Sequence, residues 1–321
     1  MAPHTQPTYS IGDQRGLWSQ TATIDWCESN YELTHYIAEF WNTLSNLAFI
    51  LPQLSQYYAL AEHSSVELAF RRAFLSLALV GIGSFCFHMT LARPMQMFDE
   101  TSMILVALHG FYLLYVIKKP SVNRRTLKTL LLCYGLVFLG LYVFLVEWPI
   151  FHHSTFLVLV YASMGIGYQL KQRYGPHYKF WTVLTMQHLG FVFWLLDKHY
   201  CEVLAQFRDN HLPMLLRPAF QFHAVWHLLM GLSSHIFFCG LIRLRAQIKY
   251  KEDFVIQYRW MGLWITLKKV PQGSQQQQPI QGQEHFEQNN QGLKPRRLPR
   301  ENLTDNELDL NQNQVHNYDN N

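Results

Sequence analysis

The chain carries seven apolar runs, each near the roughly 20 residues that an α-helix needs to cross the hydrocarbon core of a bilayer. They are residues 36–58, 70–91, 97–117, 128–146, 153–170, 179–196 and 219–242. The fifth and sixth runs are short, and both contain polar side chains. The pattern predicts an all-α fold, a bundle of seven transmembrane helices within residues 36–250.

The positive charges of the connecting loops predict the orientation of this bundle, because Lys and Arg accumulate on the cytosolic side of membrane proteins. With the N-terminus outside, fourteen such residues lie inside and five lie outside. The inner ones are Arg71, Arg72, Lys118, Lys119, Arg124, Arg125, Lys128, Lys171, Arg173, Lys179, Arg243, Arg245, Lys249 and Lys251. The outer ones are Arg15, Arg93, Lys198, Arg208 and Arg217. The bias predicts a lumenal N-terminus and a cytosolic C-terminus.

The segments that flank the bundle are polar. Residues 1–35 lack the basic stretch and apolar core of a cleaved signal peptide and are expected to form a lumenal segment. Residues 251–270 are expected to be a cytosolic juxtamembrane segment. Residues 271–321 are rich in Gln and Asn with few apolar side chains, which predicts a disordered cytosolic tail. The net charge of +4 lies mostly in the inner loops and tail, so we attribute it to membrane orientation and expect no nucleic-acid partner.

Polar side chains inside the apolar runs are costly and often functional. Ser84 and His88 are four residues apart, as are His223 and His227, so each pair shares a helix face. The second run leads outward and the seventh leads inward, which places both pairs in the outer half of the membrane. Asp99 follows His88 after a short turn, and its carboxylate returns to the same depth.

Three imidazoles and a water molecule form the open coordination typical of a catalytic zinc ion. Such an ion lowers the pKa of its bound water to roughly 7 and polarises a carbonyl group, as the hydrolysis of an amide or ester requires. Asp99 is then a candidate general base, and Ser84 a candidate donor to the developing oxyanion. We therefore interpret His88, His223 and His227 as zinc ligands.

A structural interpretation stands beside the catalytic one. A membrane histidine often forms an interhelical hydrogen bond, and Ser84, which follows two nearby glycines, can bond its own helix backbone or permit close packing. The matching depth of the two pairs and Asp99 favours the metal site. We assign the other histidines of the apolar runs and loops to packing or interfaces. These include His109, His152, His153, His188 and His235.

A second candidate site precedes the first run, where Asp25, Glu28, Asn30 and Glu39 offer hard oxygen donors that suit calcium. The alternative is an N-capping Asp followed by acids in the first turn of the same helix. Glu39 weakens that alternative, since it lies well inside the apolar run.

The cysteines divide by predicted location. Cys27 and Cys201 both lie outside on the predicted topology, where an oxidising lumen would permit a disulfide, although the residues alone leave the pairing open. Cys86, Cys133 and Cys239 fall within predicted spans and are expected to be small apolar fillers.

Four stretches of this sequence resemble the alkaline ceramidase family, most nearly its alkaline phytoceramidase branch. They read IDWCESNY at 24–31, IAEFWNTLSN at 37–46, GSFCFHMTL at 83–91 and FHAVWH at 222–227. The resemblance covers about residues 17–250, and the Gln-rich tail lies outside it. These motifs occur together, which makes the resemblance specific.

The resemblance implies hydrolysis of the amide bond of ceramides at alkaline pH, in endoplasmic reticulum or Golgi membranes, with the active site toward the lumen. It implies Zn²⁺ as the catalytic ion and Ca²⁺ as a structural or activating ion, and no obligate protein partner is expected. The implied zinc ligands are His88, His223 and His227, with Ser84 and Asp99 catalytic. The implied calcium ligands are Asp25, Trp26 through its carbonyl, Glu28, Asn30 and Glu39. Cys27 and Cys201 match the disulfide of the family.

Other functions remain open at this stage. Adiponectin-receptor-like proteins also have seven spans, three histidines, a serine and an aspartate, but are expected to place the N-terminus in the cytosol, which the charge bias opposes. A lipid receptor with a structural zinc ion is the alternative that is not an enzyme. An esterase that acts on lipid-anchored glycans would use the same metal for ester cleavage.

Overall fold

A computed structural model of the chain describes residues 16–61, 66–175, 179–251, 254–259 and 264–270. The predicted disordered tail at 271–321 lies outside the described residues. The helices are α1 (Phe40–Ser45), α2 (Leu47–Ala59), α3 (Leu68–Thr90), α4 (Arg93–Lys118), α5 (Arg124–Leu145), α6 (Pro149–Tyr174), α7 (Phe180–His199), α8 (Cys201–His211) and α9 (Phe222–Tyr250), with a 3-10 helix at Met214–Phe220. The prediction of a mostly helical chain is confirmed.

Five of the described helices are long and apolar enough to cross a membrane: α3, α4, α5, α6 and α9. They correspond to the second, third, fourth, fifth and seventh apolar runs, each with bounds a few residues wider or shifted. The chain is therefore a multi-pass membrane protein, as predicted.

The first and sixth predicted spans are not among these five. The sixth run folds as α7, a helix of 20 residues. The first run is divided at Asn46 into α1, of 6 residues, and α2, of 13 residues with Pro52 inside it. The count of seven spans stays a prediction.

The break at Asn46 has a local cause in the hydrogen bonds of the Asn42 carbonyl. In a continuous helix this oxygen would accept the backbone N–H of Asn46. Instead it accepts the Ser45 hydroxyl at 2.8 Å and the Asn46 side-chain amide at 2.9 Å. The Asn46 N–H donates to Thr43 at 3.2 Å. Side chains that bond to the backbone thus replace one rung of the helix.

The helices that carry the candidate residues pack against one another. α3 packs on α2 and α4, and α9 packs on α1, α2 and α7. α3 and α4 approach closely at Gly83, where a Cβ atom would lie only 3.1 Å from the Cα of Asp99. Glycine at position 83 therefore allows the backbone of α4 to pack against α3 at Asp99.

The segment before α1 is paired along the end of α3. The N–H of Ala38 donates to the carbonyl of Met89 at 2.9 Å, and that of Glu39 donates to the carbonyl of His88 at 3.0 Å. α3 then ends at Leu91, a residue with φ of 48° whose carbonyl accepts the N–H groups of Thr21 and Ala22. These bonds hold Glu39 next to His88.

A β-hairpin follows α9 and was not predicted. Strands β1 (Phe254–Arg259) and β2 (Trp264–Lys269) pair antiparallel, with Phe254 opposite Lys269 and Arg259 opposite Trp264. Phe254 is buried and belongs to the main apolar core. The all-α expectation is therefore incomplete, because the sequence of residues 251–270 was interpreted only for its charge and not for its short β-forming runs.

Candidate metal centre

The structure brings His88, His223 and His227 together. One ring nitrogen from each lies within 4.8 Å of the other two, and within the described part of the chain no other group of three His, Cys, Asp or Glu residues is this tight. All three side chains are at most 2 % exposed. α3 supplies His88 near its C-terminal end, and the first two turns of α9 supply the other two, which share a helix face as the four-residue spacing predicted.

His88 is oriented by Glu39. Its Nδ1 atom forms a short hydrogen bond to Oε2 of the Glu39 carboxylate. When Glu39 is ionised its carboxylate can only accept, so Nδ1 then carries the proton and Nε2 is left with a free lone pair. This is the arrangement in which a histidine binds a metal ion through Nε2.

His227 is oriented by Ser45 in the same way. The Ser45 Oγ lies 2.8 Å from Nδ1 of His227, and the single Ser45 hydroxyl proton is donated to the Asn42 carbonyl at 2.8 Å. Ser45 must therefore accept a hydrogen bond from Nδ1, which again leaves Nε2 unprotonated. That Nε2 lies 3.3 Å from the Ser84 hydroxyl.

His223 is held by its backbone and its ring face. Its backbone N–H donates to Oδ1 of Asp197 at 3.1 Å, and its imidazole ring stacks on the Trp26 ring with centroids 3.7 Å apart. Its Nδ1 is buried and makes no hydrogen bond to any described residue. A buried nitrogen without a partner costs free energy, so the donor set fits a metal ion bound among the three rings.

Ser84 contacts one of the histidines, since its hydroxyl lies 3.3 Å from Nε2 of His227 as above. Asp99 is 8 % exposed, and its backbone packs against Gly83, the residue before Ser84. Asp99 is not part of the tight histidine group. Both predicted catalytic side chains are therefore buried, and Ser84 is the one that contacts a histidine ring.

The predicted calcium residues form a second polar cluster. Both oxygens of Asp25 accept hydrogen bonds from the Asn30 amide, at 3.2 and 3.1 Å, and Glu39 accepts the N–H of Trp26 at 3.1 Å. The carboxylates of Asp25 and Glu28 are close enough to Glu39 to interact with it electrostatically. The side-chain oxygen Oδ1 of Asn30 is buried and has no hydrogen-bond partner among residues that the structure describes. Three carboxylates and an unpaired amide oxygen fit a hard cation.

Glu28 caps a helix, but not the one that the alternative interpretation required, because no described helix begins at Asp25. Its carboxylate accepts the backbone N–H groups of Trp41 and Asn42 at 2.6 and 2.8 Å, and so caps the first turn of α1. Glu39 occupies the N-cap position of α1, contrary to the inference that it lies too deep, but its side chain makes no cap hydrogen bond. Burial raises the pKa of Glu28 to about 7, against the lowering effect of the two N–H groups.

Cys27 and Cys201 form the disulfide that the resemblance implied, so that prediction is confirmed. Their Cα atoms are 5.1 Å apart. The N–H of Cys27 donates to Oδ2 of Asp197, whose other oxygen accepts the N–H of His223. The disulfide therefore joins the calcium-candidate segment to the start of α8, next to the carboxylate that holds α9. The three cysteines of the predicted spans are free.

Sequence reasoning missed the residues that position the histidines. Ser45, Asp197 and Arg208 were not singled out as positioning residues. Arg208 is only 1 % exposed, and its guanidinium donates a hydrogen bond at 2.9 Å to the side chain of Gln221, the residue before α9. The sequence did contain a signal for Ser45. Asn42, Asn46, Gln53 and Gln56 recur at helical spacing in the first apolar run and are all buried, which marks a polar stripe that faces the protein interior.

The chain is similar to known proteins over most of its length. The family model described as Ceramidase matches residues 18–271. The chain is 36 % identical over 268 residues to alkaline ceramidase 3 of Mus musculus, covering 81 % of this chain and 97 % of the relative. It is 30 % identical to an alkaline ceramidase of Saccharomyces cerevisiae, covering 76 % and 84 %. It is 31 % identical to an alkaline ceramidase of Arabidopsis thaliana, covering 71 % and 85 %.

Proposed function

Because this chain belongs to the ceramidase family, we propose that it hydrolyses the N-acyl amide bond of ceramides and releases a sphingoid base and a free fatty acid. The names of its relatives state that activity for them. The observation that carries the proposal for this chain is the convergence of three buried histidines, two of which are fixed with an unprotonated Nε2.

We assign a catalytic zinc ion to His88, His223 and His227. Imidazole nitrogens are favoured zinc ligands, and a set of three leaves a position open for water or substrate. When bound, zinc lowers the pKa of a water molecule and polarises a carbonyl group. Glu39 and Ser45 hold two of the rings in the tautomer that such a site requires.

In the proposed reaction Asp99 transfers the proton, and Ser84 stabilises the negative charge that develops. The Asp99 carboxylate takes the proton of the attacking water and passes it to the amide nitrogen, so that the C–N bond breaks with a neutral amine leaving. The Ser84 hydroxyl donates a hydrogen bond to the negative charge that develops on the carbonyl oxygen. Both roles suit buried groups, since electrostatic interactions are stronger where water is excluded.

We assign a calcium ion to Asp25, Trp26 through its carbonyl, Glu28, Asn30 and Glu39. The ion would neutralise the clustered carboxylates and bind the unpaired Asn30 oxygen. Because Glu39 also contacts His88, the calcium segment would support the zinc site without taking part in the reaction.

In the membrane, we propose seven spans with the N-terminus in the lumen and the C-terminus in the cytosol. The broken pair α1 and α2 would form the first span, and α7, about 30 Å long at 1.5 Å per residue, would form the sixth. The Cys27–Cys201 disulfide supports a lumenal location for that side, since disulfides persist in oxidising compartments. We propose residence in the endoplasmic reticulum or Golgi.

The depth of the site suits the proposed substrate. Ceramide has two long apolar chains and an amide near the membrane interface. A buried site in the lumenal half of the bundle can reach that amide while both chains stay in apolar surroundings. No transfer of the lipid into water is then needed.

The test is the release of fatty acid from a panel of labelled ceramides by detergent-purified protein. We expect turnover that a chelator abolishes and added zinc restores, and that His88→Ala lacks. His188→Ala is a matched control, because His188 is exposed and bonds only its own helix at the Leu184 carbonyl within the described structure. Protein that binds zinc yet cleaves no ceramide would instead support a receptor with a structural metal, and cleavage of lipid esters alone would support an esterase.

A further inference from the structure

A second buried polar cluster, which the proposed reaction does not use, lies beside Asp99. We call Gln96, Glu100, Tyr142 and His152 the Glu100 cluster. The Glu100 carboxylate accepts hydrogen bonds from the Tyr142 hydroxyl and from the Gln96 amide at 2.9 Å. Every member is at most 7 % exposed. α4, α5 and α6 each contribute to it, so the cluster joins three membrane-spanning helices.

His152 is the member whose hydrogen bonds are incomplete. It is 2 % exposed, and neither of its ring nitrogens makes a hydrogen bond to a residue that the structure describes. Its Nδ1 lies 3.6 Å from Oε2 of Glu100, just beyond hydrogen-bond distance. Aromatic rings of Phe138, Tyr142 and Phe156 surround it. A buried imidazole with two unpaired nitrogens calls for a polar partner.

The Glu100 cluster adjoins the proposed catalytic residues. Glu100 follows Asp99 in the chain, and the Asp99 and Glu100 carboxylates both interact electrostatically with the Tyr142 hydroxyl. A series of ring contacts also leads from His152 to the metal centre. It runs through His153 at 5.5 Å, Trp194 at 5.3 Å, Trp26 at 5.8 Å and His223 at 3.7 Å, each measured from the ring before it.

An apolar cavity of about 100 Å³ lies one helical turn further along α6 and α9 than the Glu100 cluster and the metal centre. Phe156 lines it on α6, four residues after His152, and Met230 lines it on α9, three residues after His227. Val106 and Gly110 of α4 close another side. Part of one lipid chain in this cavity would therefore lie about one helical turn from both the metal centre and the Glu100 cluster.

We propose that the Glu100 cluster binds a hydroxyl group of the sphingoid base and so selects among ceramides, with His152 and the Glu100 carboxylate as the contacting groups. This inference rests on the proposed function. A hydroxyl group both donates and accepts, so it can donate to Glu100 while it accepts from the N–H of His152. An anionic head group would be repelled by the Glu100 carboxylate, whereas a neutral hydroxyl group would not.

The test is a cycle of one substitution against one substrate hydroxyl. His152→Phe removes both ring nitrogens but keeps an aromatic ring among aromatic neighbours. Turnover is compared for dihydroceramide, analogues that lack the hydroxyl at C1 or C3, and phytoceramide, which has an additional hydroxyl at C4. For one of these hydroxyls, we expect its removal to lower kcat/KM on the order of tenfold in the wild type and less than about twofold in His152→Phe.

The controls separate this inference from its premise. His188→Phe should discriminate among the substrates as the wild type does. Glu100→Gln keeps the side-chain volume and should weaken the same discrimination, which covers the case in which His152→Phe does not fold. Equal effects of His152→Phe on every substrate, or no effect on any, would overturn the inference. Wild-type protein that cleaves no ceramide would instead overturn the proposed function.

Discussion

The carboxylate of Glu39 accepts a hydrogen bond from Nδ1 of His88, and it also accepts the N–H of Trp26 and the amide of Asn42. One fully buried side chain thus contacts both a proposed zinc ligand and the proposed calcium segment. A carboxylate that accepts from a metal-binding histidine fixes the tautomer of that histidine and makes its other nitrogen a stronger ligand.

Glu39→Gln should therefore weaken zinc binding while the fold is kept. The amide has one accepting oxygen in place of two, so it cannot satisfy Trp26, Asn42 and His88 together. We expect zinc affinity to fall about 10- to 100-fold, with a matching loss of ceramide turnover at limiting zinc. Titration with a competing chelator measures the affinity. Glu32→Gln, an exposed acid of the same segment, is the control, and an unchanged zinc affinity in Glu39→Gln would contradict the role of Glu39.

Ser45→Ala tests the orientation of His227. Without the Ser45 oxygen, Nδ1 of His227 loses its hydrogen-bond acceptor, and the ring can take the wrong tautomer. We expect up to about tenfold weaker zinc binding. Ser76→Ala is a matched control, because Ser76 bonds the Ala73 carbonyl and lies 3.2 Å from Nδ1 of His109, away from the site. Equal effects of the two substitutions on zinc affinity would argue against the assignment.

The disulfide should stabilise the folded chain strongly. Cys27 and Cys201 are 174 residues apart, and the bond restricts a long loop in the unfolded state. We expect Cys201→Ser to lower the free energy of unfolding by about 2 to 5 kcal/mol. Thermal unfolding in detergent, with and without reductant, measures this. Cys133→Ser removes an exposed free thiol and should leave the melting temperature and its response to reductant unchanged. A Cys201→Ser variant as stable as the wild type would refute the expectation.

The Glu67 carboxylate at the start of α3 should make stability depend on pH. It accepts hydrogen bonds from Arg245 at 2.8 Å and Lys249 at 3.1 Å, and Arg124 lies 3.4 Å away. Partial burial raises the pKa of Glu67, but these cations outweigh burial and hold the pKa below its ordinary value of 4.5. A carboxyl whose folded-state pKa is lowered stabilises the protein above 4.5, and that stability is lost as pH falls through the folded-state pKa.

Glu67→Gln should accordingly have a lower Tm than the wild type at pH 7. The difference between the two Tm values should become smaller as the pH falls below about 4, because the wild-type carboxylate is then protonated as well. Thermal unfolding over a pH series checks this. Glu147→Gln breaks an exposed ion pair with Arg93 and should change Tm little. If Glu67→Gln had the wild-type Tm at pH 7, the ion pairs of Glu67 would contribute nothing to stability.

The parts of the site that follow from helical periodicity were predictable. The four-residue spacing of Ser84 with His88 and of His223 with His227 fixes a shared helix face, and the opposite directions of the two runs bring the pairs to one depth. The disulfide followed from the resemblance, because the topology placed both cysteines on one side without pairing them. The roles of these residues in metal binding stay predictions.

The contacts that depend on tertiary structure were not predictable. Ser45 and His227 are 182 residues apart, and only the packing of α1 on α9 brings them together. The break at Asn46 was missed because average hydropathy does not register side chains that take backbone hydrogen bonds. Asp197 was missed because its partners are backbone N–H groups of Cys27 and His223, which are distant in the sequence and come together only in the fold.

The most direct measurement is the zinc content of the purified full-length protein alongside its ceramide turnover. We expect about one zinc ion per chain in the wild type, loss of that ion and of turnover in His223→Ala, and recovery of turnover when zinc is returned to chelated wild-type protein. Metal-free protein that still cleaves ceramide, or a His223→Ala variant that retains full zinc and full turnover, would contradict the proposal that three histidines hold a catalytic zinc ion.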